Sequence, residues 1–144
     1  MARLHLFNPD NDLALANGSP NFTPPHSAVG LRNAGACLPI WYGDSGDFFV
    51  GAVNEKWYDD ISDTFGLEVE PTIMYEPGLT PAPWGWSAAA RTGFLRIGTP
   101  AGVLPDDSEI ELMRQLSHRA TTVEVANDCY HELPWLVGDE LGHP

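Results

Sequence analysis

Short apolar runs of β type alternate with segments of helical periodicity along the first hundred or so residues of this chain. No other feature constrains the fold as much, because strands that alternate with helices pack as a mostly parallel sheet covered by helices. Arg3 to Phe7 is a continuous apolar run stopped by Asn8-Pro9, which predicts a first strand buried near the sheet centre. Residues 8–25 hold Pro9, Gly18, Pro20, Pro24 and Pro25 and are expected as a long loop. Thr23 is placed to cap a helix begun by Pro24-Pro25, with Ala28, Leu31 and Gly35 on one face and an end before Pro39. Strands are then expected at Leu38 to Tyr42 and Phe48 to Val50, separated by the turn cluster Gly43 to Asp47.

Asn54 predicts a helix from Glu55 to Phe65, since Trp57, Tyr58, Ile61 and Phe65 recur at helical spacing, and Gly66 ends it. Leu67 to Tyr75, interrupted by Pro71, has the pattern of a strand near a sheet edge. Residues 76–86, with three prolines, are expected as loop, and Ser87 caps a helix over Ala88 to Ile97 closed by Gly98. Asp106-Asp107-Ser108-Glu109 starts a helix carrying Ile110, Met113 and Leu116. A second helix follows to about His131, although Thr121 to Val125 also alternates like a strand. The expected architecture is α/β: a three-layer, Rossmann-like domain with a mostly parallel sheet over residues 1–105. A helical tail over residues 106–144 would begin a hinge or second domain that lies beyond this chain.

Charge narrows the partners. Seven Lys plus Arg against 20 Asp plus Glu give a net charge of -13, a field that repels nucleic-acid backbones and anionic lipid surfaces. Nucleic acid and membranes are therefore not expected partners. No stretch approaches the roughly 18 consecutive apolar residues of a membrane span, and the N-terminus does not read as a signal peptide, so a cytoplasmic location is expected. On that reading the sequons at Asn17 and Asn21 are turns, and Cys37 and Cys129 are buried thiols.

Three segments are candidates for chemistry. Asn8-Pro9-Asp10-Asn11-Asp12 falls just past the carboxyl end of the first strand, where open α/β sheets bind ligands. Its amides and carboxylates suit a hydroxylated ligand or a hard cation, with an Asx-rich turn as the plainer reading, and no metal site is expected because the spacing fails the EF-hand pattern. Between Asp44 and Glu76 stand nine acids and one base, Lys56, whereas between Pro77 and Pro105 the only charges are Arg91 and Arg96. That acid-free stretch holds Trp84-Gly85-Trp86-Ser87 at a helix N-terminus, a place that attracts anions, with Arg91 behind it. Trp84 and Trp86 either wall a ligand or fill the core. Ser117-His118-Arg119 is the third candidate, with an ion pair to a surplus carboxylate as the plainer role for Arg119. Glycine-rich phosphate loops, nucleophile elbows and zinc signatures are absent, so no catalytic residue is assigned.

Leu6-Phe7-Asn8-Pro9-Asp10-Asn11-Asp12-Leu13-Ala14-Leu15-Ala16, Phe22-Thr23-Pro24-Pro25, Pro83-Trp84-Gly85-Trp86 and Leu116-Ser117-His118-Arg119 together resemble the N-terminal half of a bacterial protein family that opens on Phe-Asn-Pro-Glu-Asn-Asp. Asp10 is a conservative departure from it. The resemblance implies the Rossmann-like domain that precedes an ATP-grasp unit in carboxylate-amine ligases. Such a domain forms part of the acceptor-substrate wall, and ATP and Mg²⁺ are held by later domains. The implied function is the substrate-side domain of a larger ligase, inactive alone, with a small anionic or polar ligand and a downstream domain as partners. The rival expectation is a non-catalytic ligand-binding or protein-interaction domain. On the first, Asn8 to Asp12 and Trp84 to Arg91 wall one cleft.

Overall fold

The computed structural model describes residues 2–128. It is an α/β structure with four strands, all parallel, in the order β3-β2-β1-β4. β1 (Arg3–Leu6) lies inside the sheet, with β2 (Phe48–Val50) on one side and β4 (Thr80–Pro83) on the other, and β3 (Glu70–Thr72) forms the far edge. Both edge strands carry proline, Pro71 in β3 and Pro81 and Pro83 in β4. Proline cannot donate to a neighbouring strand, so it is tolerated at an edge and blunts it against further pairing.

Strand side chains alternate between faces, and here the alternation divides the core in two. Leu4, Leu6, Phe48 and Val50 point to one side, where Leu4 packs with Leu79, Phe94 and Leu104. Phe49 points to the other, where it packs with Ile40 and Val69 beneath Tyr58 and Ile61 of α3 (Glu55–Phe65). Phe94 belongs to α4 (Ala88–Arg96), so helices cover both faces of the sheet and the layers number three, compatible with a Rossmann-like arrangement.

A buried polar knot ties the start of β1 to β2. The Asp47 carboxylate, 2% exposed as a residue, accepts from His5 Nε2 at 2.7 Å and from the backbone N–H groups of Arg3 at 2.7 Å and Asp44 at 3.1 Å. Burial alone would push this carboxyl up, but the bonds from His5, Arg3 and Asp44 outweigh it and hold the pKa below the usual aspartate range.

The structure corrects several local expectations. Residues 8–25 are not all loop, because α1 (Asn11–Asn17) forms there and closes on Gly18 in the left-handed conformation that glycine adopts freely. Helix α2 (His26–Ala34) starts after Pro25 without a side-chain cap, so Thr23 stands outside it. Leu38–Trp41 is a 3-10 turn rather than a strand: Pro39, at its start, has no N–H to give a ladder. Inside the expected loop 76–86 lies β4, an edge strand disguised by its prolines. Other signals gave the elements expected: the side chains of Asn54 and Ser87 cap α3 and α4, and Asp106 with Glu109 forms a capping box on α5 (Asp107–Leu116). Residues 119–128 form helix α6, not a strand, and the expected continuation to His131, like Cys129, falls outside the described residues. Cys37 is a half-buried thiol. Among the described residues no helix is long and apolar enough to cross a membrane.

Candidate functional site

After β1 the chain adds β2 and β3 outward on one side, then returns to place β4 on β1's other flank. The connections leaving β1 and β4 therefore diverge from neighbouring strand ends, and in open parallel sheets that divergence opens the ligand crevice. Here the first connection is Phe7 to Asp10 and the second is Trp84 to Ser87.

Asn8 joins the two. Its side chain is buried and donates from Nδ2 to the Gly85 carbonyl at 2.8 Å, and its Oδ1 accepts from the Gly85 N–H at 3.4 Å. The Trp84 N–H donates to the Leu6 carbonyl at 3.0 Å, so Asn8 extends the β1–β4 ladder by one side-chain rung. Gly85 permits the approach: a Cβ there would collide with the Asn11 side chain.

A cleft of about 280 Å³ opens beside this junction, with Asn8, Asp10, Asn11, Ser87, Arg32 and Arg96 among its lining residues, together with Asn21 to Thr23. Ser87 is 1% exposed and its Oγ accepts from the Ala90 N–H, capping α4. The N–H groups of Ala88 and Ala89 have no acceptor within the helix, and Ala89 lines the cleft. At this end the helix dipole favours an anion.

Asp10 is not a free ligand group. Its side chain is 1% exposed and gripped side-on by Arg32, with Nη2 2.5 Å from Oδ2 and Nε 3.1 Å from Oδ1. This fork is the strong geometry for an arginine–carboxylate pair. It fixes the Arg32 guanidinium at the cleft wall without using Nη1.

Arg91 lies elsewhere. Residues five apart on a helix point about 140° away from each other, so α4 turns Arg96 toward the cleft and Arg91 toward α5. Arg91 stands 3.5 Å from Asp107 in a separate cavity of about 220 Å³. Asp12 is exposed and faces another groove, between α1 and α5, lined also by Ser117 and His118. His118 Nδ1 accepts from the Ala120 N–H at 3.2 Å. Arg119 opens α6, and its side chain lies outside the described residues. Trp86 is half-buried with its ring 5.5 Å from that of Phe94, a core contact. Trp84 is 59% exposed outside the cleft, edge-on to Phe7 with Nε1 donating to Tyr42 Oη at 3.0 Å. Burial raises the Tyr42 pKa, and the bond from Trp84 opposes that rise.

Of the ten expected site residues, the cleft thus takes Asn8, Asp10, Asn11 and Ser87. Sequence reasoning did not single out Arg32, and it named Arg91 where Arg96 is the arginine of α4 that lines this cleft. A signal for Arg32 existed, because it is the only Lys or Arg between Arg3 and Lys56. Among the described residues no group of three or more His, Cys, Asp or Glu is arranged to hold a metal ion. The cleft offers amides, a helix N-terminus and two guanidinium groups, which suit recognition of an anionic or polar molecule. Comparison with protein-family models, curated proteins and solved structures gave no match.

Proposed function

We propose that this chain is a ligand-binding α/β domain whose cleft at the β1/β4 divergence takes a small anionic or polar molecule, and that it serves as the substrate-side domain of a larger ATP-grasp-type ligase. One observation carries the reading: the motifs around Asn8 and Gly85, 77 residues apart in sequence, meet through a part-buried side-chain bond where the connections leaving β1 and β4 part. Those are also the motifs that carry the family resemblance. In this role the chain positions an acceptor substrate, while ATP and Mg²⁺ are held by other domains.

Ligand binding to the folded state raises thermal stability by mass action. At least one of orthophosphate and acetate should therefore raise the melting temperature of the isolated chain in a saturable way that sodium chloride at equal ionic strength does not reproduce. Arg96→Ala should weaken the effect about tenfold, the usual scale for one charge-assisted bond. Stabilisation equal in wild type and Arg96→Ala would place the anion elsewhere and end the cleft assignment. For the ligase role the test is calorimetry with Mg-ATP: the account expects no tight binding to this chain, because it has no glycine-rich phosphate cradle. Micromolar affinity would contradict it. A non-catalytic binding module remains the second reading, favoured by the commitment of Asp10 to Arg32, which leaves the cleft without a free carboxylate base.

A further inference from the structure

Large aromatic rings are costly to leave in water, and rings grouped at a surface mark places where something docks. Four such rings adjoin here: Trp41 is 50% exposed, Tyr42 48%, Phe65 58% and Trp84 59%. Phe65 and Trp41 stack edge to face with centroids 5.3 Å apart. Trp41 and Tyr42 are successive, and Tyr42 Oη accepts from Trp84 Nε1 at 3.0 Å. The rings thus form two pairs, Phe65 with Trp41 at the end of α3 and Tyr42 with Trp84 at the end of β4, joined through the backbone of the 3-10 turn.

The chain just past Trp41 and Phe65 forms an acidic rim at that end. Asp44 follows Trp41 by three residues and Glu68 follows Phe65 by three, and both are exposed. Their loops are held together, since Ser45 Oγ donates to the Glu68 carboxylate and the Gly46 N–H donates to the Glu68 carbonyl at 3.1 Å. One cation stands at this rim among the described residues, Arg3 at 3.8 Å from Asp44, with both side chains largely exposed. Exposed pairs of that kind are weak and easily exchanged.

Aromatic faces bordered by carboxylates match one side chain closely. Arginine lays its planar guanidinium on an indole and directs its N–H groups to carboxylates at the ring's edge. An anionic membrane or nucleic acid would meet the acids first and be repelled. We propose that the surface carrying the ring pairs Phe65–Trp41 and Tyr42–Trp84, with Asp44 and Glu68, docks an arginine-bearing segment of another protein. It does not rest on the ligand assigned to the cleft, which is lined by other residues.

The probe is a synthetic peptide of alternating arginine and leucine, titrated into the full chain while the indole N–H signals are followed by NMR. Saturable binding should move the signals of Trp41 and Trp84. The double variant Trp41→Ser, Phe65→Ser leaves the net charge unchanged and should lose about tenfold in affinity, the scale of one or two cation–π contacts. Asp44→Asn with Glu68→Gln should also weaken binding, more at low salt than at high salt. Undiminished binding by the aromatic variant would mean that net charge alone attracts the peptide, and would overturn the proposal. So would indole signals that stay still in the wild type, a readout that holds even if the variant fails to fold. Sedimentation showing that a second copy of the chain covers these rings would overturn it as well.

Discussion

At the scale of single residues, the junction of Asn8 with Gly85 ties the fold to the site. Asn8→Ala would leave the half-buried carbonyl and N–H of Gly85 without these partners, so a loss of about 1 kcal/mol of stability is expected in chemical denaturation. Gly85→Ala should also destabilise, by about 1–3 kcal/mol, because the new methyl must displace Asn11. The knot at Asp47 makes a pH prediction. Its folded pKa lies below the unfolded value of about 3.9, so between the two the unfolded chain binds the extra proton. The stabilisation is complete above the unfolded pKa and fades as pH falls through the folded one. Asp47→Asn should flatten the acid limb of the stability profile, and an unchanged acid limb would show that the knot does not govern it. The sequence made Asn8 to Asn11 legible as a candidate cluster through its position after a buried strand. It could not show that Asp10 is spent on Arg32, since that pair forms only when α2 packs over the β1–α1 connection.

Among the elements, legibility followed the locality of the signal. Caps lie within four residues of what they cap, and Asn54, Ser87 and Asp106 were all readable. Asp106→Ala removes the acceptor for two backbone N–H groups of α5 and should cost about 1 kcal/mol, measurable by thermal denaturation. Edge strands are different, because their identity depends on a neighbour far away in sequence. β4 was hidden by Pro81 and Pro83, which are tolerated only because β4 pairs with β1 alone. Helix α4 shows the same limit at the site: its existence was legible, but which of Arg91 and Arg96 faces the cleft depends on the face that Ala90 and Phe94 bury.

For the molecule as a whole, the alternation of strands and helices sufficed to give a parallel sheet with helices on both faces, since few other arrangements bury such segments. The strand order was not written locally, and it is the order that creates the crevice between β1 and β4. With a net charge of -13, the protein's field disfavours anions in general. A cleft that sets Arg96 and a helix N-terminus beside the Arg32–Asp10 pair is therefore a local exception, and its selectivity for an anion should stand out against the rest of the surface. The most direct measurement is a ¹H–¹⁵N NMR titration of the chain with orthophosphate and, separately, acetate. The account predicts saturable shifts of the Gly85, Ala88 and Ala89 amides and of the Arg32 and Arg96 side-chain N–H signals for at least one of the two. Shifts confined to other surfaces, or no saturable shift with either anion, would contradict it.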